Sequence, residues 1–392
     1  MKLLHTSDWH VGRTIRGRSR ATEHRMVLAE IVDVAAREQV DLVIVAGDAF
    51  DTPAPSPEAE GIVYQTLLDL SDTGAEVVVL AGNHDNPRRW KAIHPLLARG
   101  HVHVAAEVVG PDRGGVLDLD LRTGETARIA LIPFLNQRTI VKAAQLMERR
   151  ADDHAQRYAD RARQIVQGLT KDFGADTINI VAAHLTVASG GAPQLGGGER
   201  AAHTIFDYVV PPTVFPPSAQ YVALGHLHQP HRIPAACPVW YCGSPLALDF
   251  GEAERVHKSV LIVEGEPGLP VEVREVALTQ GSPLKTVRGT LDDLRAMAGE
   301  LAGAHLRVIL TEPERVGLAD EVREQFPGAV DVRIAHDDED DDSDEQTWEF
   351  DDFHRSPADL FAEYLADNDA TDPTLTGLFA ELLEDVLATD PA

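Results

Sequence analysis

The first third of the chain alternates short apolar runs with stretches of helical periodicity, and this alternation limits the fold more than any other feature. Residues 2–6, 41–46 and 76–81 are rich in Leu, Val and Ile and have the length of buried strands. Residues 22–38 and 58–70 between them have the apolar spacing of helices. Strands and helices that alternate in this way build an α/β layered domain with parallel strand pairs.

Strand-like runs return later in the chain, after a stretch at residues 139–169 that predicts long polar helices. These later runs lie at residues 177–183, 221–224, 239–242 and 258–264. We therefore predict an α/β fold of the four-layer α+β kind, in which two packed mixed β-sheets are flanked by helices. This large domain is expected to span residues 1–275.

Composition limits the class of protein only weakly. The net charge of −28 is unusual for a chain that binds nucleic acid, because phosphate contacts normally come from a basic face. Most of the imbalance lies at the end of the chain, since residues 337–392 carry 20 acidic side chains and one basic side chain, Arg355. Bound cations would also cancel part of the remaining acidity. Nucleic acid is therefore neither supported nor excluded as a partner.

The cellular setting is predicted from cysteines and from apolar runs. The chain has two cysteines, Cys237 and Cys242, without CxxC spacing, which favours buried free thiols over a disulfide framework or a thiolate zinc site. The N-terminus lacks the basic start and apolar core of a signal peptide, and no apolar run approaches about 18 residues. We expect a soluble, unexported, cytoplasmic protein without a membrane segment.

Side chains that can bind metals follow the predicted strands at the point where each strand ends. In chain order they are Asp8, His10, Asp48, Asn83, His84, His184, His226 and His228. The carboxyl ends of the strands in an α/β fold meet at one edge, where loops converge on a ligand-binding crevice. The sequence thus predicts a single site that draws on five strands.

The mixture of carboxylate, imidazole and amide oxygen indicates which ions such a site would hold. It suits manganese, iron or zinc, with manganese as the first choice, whereas calcium and magnesium prefer oxygen ligands alone. Two metals about 3.5–4 Å apart can share one carboxylate and stabilise charge on a phosphoryl transition state. One carboxylate of the set must then bridge the two ions.

Each short motif alone is more typical of a turn or of a satisfied polar residue than of a metal site. Gly-Asn-His-Asp at 82–85 and Gly-His-Leu-His at 225–228 are more specific, and the order of all the motifs together favours the metal site. The other histidines, His24, His94, His101 and His103 among them, are predicted to be surface or core residues.

The same motifs resemble those of the calcineurin-like metallophosphoesterases. His-Thr-Ser-Asp-Trp-His at 5–10, Val-Ala-Gly-Asp-Ala-Phe-Asp at 45–51, Ala-Gly-Asn-His-Asp at 81–85 and Tyr-Cys-Gly-Ser-Pro at 241–245 are similar, more closely, to the nuclease subunits of bacterial SbcCD complexes. The resemblance covers about residues 1–265. One departure concerns Asp51, since archaeal and eukaryotic relatives usually have His there, so any auxiliary role of that His does not carry over.

The resemblance also implies a ligand set and a catalytic residue. One manganese ion would be held by Asp8, His10, Asp48 and His228. The second would be held by Asp48, Asn83, His184 and His226. Asp48 would bridge the two ions, while His84 would not bind metal but would protonate or position the leaving oxygen.

The C-terminal third is predicted to carry accessory parts. Residues 276–336 have the pattern of a small α+β unit, which the resemblance identifies as a capping domain that positions DNA; a purely structural appendage is the alternative. Residues 337–349 form an acidic run that predicts a flexible linker. Residues 350–392 carry two apolar helical stripes, at Leu360, Phe361, Tyr364 and Leu365, and at Leu375, Leu378, Phe379, Leu382, Leu383, Val386 and Leu387.

We interpret the stripes as a helical segment that docks on a partner, although helices packed back on the catalytic domain would look the same. The resemblance implies an SMC-like, SbcC-like ATPase subunit as that partner, DNA as substrate, and a homodimer within a heterotetramer. It further implies a manganese-dependent 3'–5' double-strand exonuclease and hairpin or single-strand endonuclease in DNA repair and recombination. The alternatives are a small-substrate phosphodiesterase or phosphatase of the same fold and a non-catalytic metal-holding scaffold.

Overall fold

The computed structural model describes residues 1–135, 158–188, 209–253 and 257–335, together with Leu375 and Phe379. The strands of this part are β1 Lys2–Thr6, β2 Thr14–Ile15, β3 Arg18–Ser19, β4 Leu42–Val45, β5 Glu76–Leu80, β6 Val102–Ala105, β7 Val116–Asp120, β8 Thr126–Ile132, β9 Ile178–His184, β10 Thr186–Val187, β11 Val209–Val210, β12 Tyr221–Gly225, β13 His231–Ile233, β14 Val239–Tyr241, β15 Ser259–Glu264, β16 Glu272–Ala277, β17 Leu284–Gly289, β18 His305–Leu310 and β19 Ala329–Ile334. Its α-helices are α1 Ala21–Glu38, α2 Pro57–Asp72, α3 Pro87–Leu97, α4 Tyr158–Thr170, α5 Phe250–Ala253, α6 Leu291–Ala296, α7 Ala298–Leu301 and α8 Leu318–Gln325.

The first large sheet has the strand order β16-β15-β1-β4-β5-β6 within the described residues. Strands β1, β4, β5 and β6 pair in parallel, and β15 and β16 continue the sheet in antiparallel pairs. Helices α1, α2 and α3 cover one face, where an apolar cluster joins Val43, Val45, Val77 and Val79 of the strands to Val27, Ile31, Val63, Leu67 and Trp90 of the helices. The predicted opening order of strands and helices is confirmed.

The second large sheet has the order β13-β14-β12-β9-β8-β7 in the described part of the chain. Its central pairs β8–β9, β9–β12 and β12–β14 are parallel, and its edge strands β7 and β13 are antiparallel. Helix α4 packs on its outer face through Ile165, Val166 and Leu169. Helices were predicted for residues 139–169. Of that stretch, residues 139–157 lie outside the described residues, and α4 accounts for the rest.

The inner faces of the two sheets pack directly on each other. The apolar cluster between them contains Leu3, Ile44, Val78 and Leu80 from the first sheet and Ile129, Leu131, Ile178, Ile180 and Ala223 from the second. The layers thus run helix, sheet, sheet, helix, with apolar residues between each pair. This arrangement confirms the predicted α/β four-layer class with two mixed sheets.

A small parallel sheet of β17, β18 and β19 follows, with its own apolar cluster around Leu294, Val308 and Val322. A buried ionic contact ties it to α1, because His305 Nε2 lies 2.7 Å from Glu23 Oε1. Met1–Asp338 form one unit of the chain and Glu339–Ala392 another. The domain boundaries proposed at 275/276, 336/337 and 349/350 stay predictions, and the linker and the docking helices lie outside the described residues except for Leu375 and Phe379.

None of the helices in the described ranges combines the length and the apolar character that crossing a bilayer requires. Both cysteines are buried free thiols, as their spacing predicted.

Candidate metal centre

The polar side chains predicted to converge come from both large sheets. Asp8 and His10 follow β1, Asp48 follows β4, and Asn83 and His84 follow β5, all at the carboxyl ends of the first sheet. His184 is the last residue of β9, and His226 and His228 follow β12 at the matching edge of the second sheet. The seven carboxylate and imidazole side chains are buried, with His84 the most exposed at 4%. The site therefore lies where the edges of the two packed sheets meet.

These side chains form three overlapping groups whose donor atoms lie within 4.8 Å of one another. The groups are Asp8, His10 and His228; His10, Asp48 and His84; and Asp48, His184 and His226. The first and third together contain the imidazoles and carboxylates that the sequence assigned to the two metal positions. Because His84 joins the second group, distance alone does not separate it from the ligands.

Asp48 occupies the middle of the cluster. Its Oδ2 atom lies 3.4 Å from His184 Nε2 on one side and 3.7 Å from His10 Nε2 on the other. Its Oδ1 atom accepts a hydrogen bond of 2.8 Å from the backbone N–H of His84. Asp48 is therefore the carboxylate that lies between the two sides of the cluster.

Asn83 lies on the side of the cluster that belongs to the second sheet. Its Oδ1 atom is 2.9 Å from His184 Nε2 and 2.9 Å from His226 Nδ1. The other ring nitrogen of His184, Nδ1, is 2.8 Å from the carbonyl oxygen of Ala46, so it carries the proton and Nε2 faces the site. One amide oxygen and two imidazoles thus face the same point.

Two glycines of the motifs make these close approaches feasible. A Cβ atom on Gly82 would lie 2.1 Å from Asp48 Oδ1, and one on Gly47 would lie 2.2 Å from His184 Nδ1. Gly47 also has φ of +103°, a conformation that other residues rarely adopt. The glycines that precede Asp48 and Asn83 in the sequence are therefore required by the packing of the site itself.

Several of the metal-facing residues have left-handed backbone conformations although they are not glycine. The φ angles are 53° at Asp8, 46° at His10, 52° at Asp48 and 104° at His226. Hydrogen bonds hold these loops: Asp8 N–H donates to the Gly47 carbonyl over 2.9 Å, and His226 N–H donates to Asp8 Oδ1 over 3.0 Å. The loops of the two sheets thereby fix each other.

The electrostatics of the cluster fit a divalent cation. Burial, together with the nearby charge of Asp48, raises the pKa of Asp8 to about 6. Burial also acts to raise the pKa of Asp48, but His184 and His10 outweigh it and hold that pKa well below its usual value. His10 Nε2 is buried and makes no hydrogen bond within the described ranges. Buried carboxylates beside a ring nitrogen without a hydrogen-bond partner form the mixed donor set that manganese, iron or zinc accepts.

His84, like His184, is held at Nδ1 by a backbone carbonyl. Its Nδ1 atom donates a hydrogen bond of 2.8 Å to the backbone carbonyl of Asp51, which leaves Nε2 as the nitrogen that can accept or hold a proton at the site. Its ring meets that of His10 edge to face, with 4.7 Å between centroids. Asp51 also faces His10, with 3.4 Å between Oδ1 and Nδ1, and Arg13 Nη1 lies 3.3 Å from the same oxygen.

Two residues that support the cluster had no role in the sequence prediction. Asp85 accepts hydrogen bonds from the backbone N–H groups of Gly82, Phe50 and Ala49 over 2.8, 3.1 and 3.3 Å, so it ties two ligand loops together. Asp85 is the last residue of the Gly-Asn-His-Asp motif, but the sequence indicated no role for it. Glu252 Oε1 lies 2.9 Å from His228 Nδ1. Nothing in the sequence around Glu252 indicated that contact.

The chain is similar in sequence to proteins of known family. Residues 1–230 match the family described as calcineurin-like phosphoesterase. The chain is 37% identical to the D subunit of nuclease SbcCD from Bacillus subtilis (strain 168), over 72% of this chain and 71% of that protein. It is 35% identical to the D subunit of nuclease SbcCD from Rhodobacter capsulatus, over 67% of this chain and 66% of that protein.

Among solved structures, TT1561 of Thermus thermophilus is similar with a TM-score of 0.38 and 14% identity, over 70% of this chain and 98% of that one. The match of residues 1–230 and the identity to the SbcCD nuclease subunits together show the family. The chain belongs to the calcineurin-like phosphoesterases and, within them, to the family of SbcD nuclease subunits.

Proposed function

We propose that this chain is the manganese-dependent nuclease subunit of a DNA-processing complex and hydrolyses phosphodiester bonds with two metal ions. The observation that carries the proposal is that Asp48 Oδ2 lies between the two sides of the cluster, 3.7 Å from His10 Nε2 and 3.4 Å from His184 Nε2. Sharing one carboxylate is what a two-metal phosphoesterase requires. The relatives named as subunits of nuclease SbcCD support a nucleic acid as the substrate.

The proposed ligands follow from the two sides of Asp48. Asp8, His10, Asp48 and His228 would hold one ion, and Asp48, Asn83, His184 and His226 the other. When bound, the two cations would provide a nucleophile at neutral pH and stabilise negative charge on the phosphoryl group. The chain's part is to hold six side chains rigidly around the shared carboxylate, which the buried loops and their mutual hydrogen bonds support.

His84 is proposed as the residue that acts on the leaving oxygen. The carbonyl of Asp51 fixes its Nδ1–H and leaves Nε2 toward the site. When Nε2 is also protonated, this ring can give that proton to the departing DNA oxygen as the P–O bond breaks, and it is left as the neutral imidazole with its Nδ1–H in place. A metal-holding scaffold without turnover would have no use for an imidazole that holds no metal, so the proposed role of His84 favours an enzyme.

Substrate class is tested by a direct comparison in manganese. We expect the full-length protein to cleave a labelled DNA hairpin and a duplex end, and to turn over cyclic nucleotides and a generic aryl phosphodiester much more slowly. The reason is that a nuclease draws binding energy from phosphates and bases remote from the cleaved bond, which small substrates lack. The measurement is product formation on gels and by absorbance, with a metal-chelated sample as control. Turnover confined to the small substrates would contradict the nuclease proposal.

An SMC-like ATPase is the proposed partner, in a heterotetramer built on a homodimer of this chain. The support is that the relatives are named as subunits of the SbcCD nuclease. Residues 350–392 are the proposed contact, because two short amphipathic helices need an apolar surface to be stable. Of that segment, the structure describes only Leu375, which is 41% exposed, and Phe379.

Deletion of residues 346–392 tests that contact. We expect the melting temperature and the manganese-dependent cleavage of short DNA to stay nearly unchanged, because the deletion lies outside the unit Met1–Asp338. Co-purification with the ATPase and ATP-dependent digestion should be lost. The intact chain, co-expressed with the same ATPase, is the control. A truncated protein that unfolds, or one that still binds the ATPase at full affinity, would show that the segment is not a docking arm.

A further inference from the structure

A buried carboxylate contacts the ring of His228 at Nδ1. Glu252 is 0% exposed, and its Oε1 atom lies 2.9 Å from His228 Nδ1. Since a carboxylate only accepts, Nδ1 carries the proton. Nε2 is then the nitrogen whose lone pair a cation can bind. This contact sets both the tautomer and the plane of the imidazole.

Glu252 is itself fixed by its other oxygen. Oε2 accepts hydrogen bonds from the backbone N–H of Leu248 over 2.9 Å and from Lys258 Nζ over 2.9 Å. Lys258 also donates to Ser244 Oγ over 2.9 Å and to the carbonyl of His228 over 3.3 Å. The carboxylate therefore has a counter-charge and well-defined partners, as a buried ionised group requires. The same network holds the backbone of His228 in place.

The helix that carries Glu252 is anchored at a distance from the metal cluster. Phe250 of α5 is 1% exposed and packs in one apolar cluster with Ile15 and Leu284. The guanidinium of Arg307, on β18 of the small sheet, lies 4.7 Å from the centroid of the Phe250 ring. Leu284 also belongs to the small sheet, on β17. The helix that carries Glu252 is thus positioned in part by the small sheet of β17, β18 and β19.

His184 provides a contrast within the same cluster. Its Nδ1–H donates to a neutral backbone carbonyl, that of Ala46, whereas the Nδ1–H of His228 donates to a carboxylate. A carboxylate makes the opposite ring nitrogen a stronger electron-pair donor than a carbonyl does. Of these two imidazoles, His228 is the one whose strength as a ligand depends on a charged neighbour.

We propose that Glu252 is a positioning residue of the metal centre: it holds His228 with Nε2 toward the cation site formed with Asp8 and His10, and strengthens that nitrogen as a ligand. The inference rests on the metal centre proposed above. Glu252 touches neither substrate nor metal, and it acts through His228. Its effect should therefore appear first in metal affinity, before any effect on the chemical step.

The test is manganese binding by full-length Glu252→Gln and Glu252→Ala. Free Mn²⁺ is counted by electron paramagnetic resonance during titration of metal-free protein, and the melting temperature is measured in chelator. Glu264→Gln is the matched control, because Glu264 is a half-exposed residue on β15 whose Oε1 atom lies 3.4 Å from Lys2 Nζ, away from the cluster. We expect one of the two manganese ions to bind about 10- to 100-fold more weakly in Glu252→Gln. Glu252→Ala should bind it more weakly still, because glutamine keeps an acceptor for Nδ1–H and alanine does not.

The possible outcomes distinguish a failure of the Glu252 inference from a failure of the proposed metal centre. Wild-type affinity for both ions in Glu252→Gln and in Glu252→Ala would overturn the role of Glu252 and leave the metal centre standing. Equal weakening in the Glu264→Gln control would also overturn it, since the effect would then be one of charge alone. A wild-type protein that binds no manganese would overturn the metal centre, and this inference with it. Graded weakening at an unchanged chelator melting temperature supports positioning over a loss of folding.

Discussion

Replacement of Asp48 by alanine is expected to remove both metal ions and, with them, DNA cleavage. Asp48 Oδ2 faces His184 on one side and His10 on the other, so neither proposed metal position keeps its full set of ligands without it. Two bound cations contribute several kcal/mol to a phosphoryl transfer, so the rate should fall about 10³-fold or more. Elemental analysis after dialysis in manganese and hairpin cleavage rates are the measurements.

Asp33→Ala is a suitable control for Asp48→Ala, because Asp33 is an exposed acidic residue on α1 and carries the same change in charge. That control should retain two manganese ions and the wild-type rate. An Asp48→Ala protein that kept one ion at full occupancy would show that the carboxylate belongs to a single metal position. The bridging role would then be wrong, although a phosphoesterase with one strongly bound ion would remain.

His84→Gln is expected to separate metal binding from catalysis. Both manganese ions should stay bound, since the proposed ligands are untouched, while the cleavage rate falls about 10²- to 10⁴-fold, the usual contribution of a positioned acid or base. The physical reason is that glutamine cannot give a proton to the leaving oxygen. His101→Gln, a change at a side chain that is 73% exposed, is the control and should cleave normally.

Metal content decides the interpretation of that variant. His84 shares a group with His10 and Asp48, so its geometry also permits a ligand role. A His84→Gln protein that arrives with one ion missing would identify His84 as a ligand and remove it as the proton donor. A full complement of manganese with a normal rate would show that neither role applies.

Most of the interior strands of the two large sheets could be predicted from sequence, because their burial leaves a run of apolar residues. Strands β4 and β5 read Leu-Val-Ile-Val and Glu-Val-Val-Val-Leu, as expected when both faces of a parallel sheet are covered. Strand β8, in the interior of the second sheet, was missed, and so were the edge strands β7 and β16. The two edge strands read Val-Leu-Asp-Leu-Asp and Glu-Val-Arg-Glu-Val-Ala, and side chains on one face reach solvent, so polar residues interrupt the apolar run.

The convergence of the cluster was also predictable, because the carboxyl ends of neighbouring parallel strands must meet at one edge. The residues that hold the proposed ligands in place could not be predicted in this way. Glu252 lies on a helix of four residues, too short to show any periodicity, and 24 positions beyond His228. Asp85 was visible within its motif, but its function depends on three N–H groups from two loops that only the folded chain brings together.

The left-handed conformations at Asp8, His10, Asp48 and His226 have a consequence for the stability of the whole molecule. A non-glycine residue in such a conformation costs of order 1–3 kcal/mol and persists only where its surroundings over-determine it. Glycine would relax the backbone at each position, but it offers neither the carboxylate nor the imidazole that stands there now. This edge of the sandwich is therefore locally frustrated, with backbone preference and side-chain chemistry in opposition. Redesign for heat resistance has to be confined to the remaining surface and core.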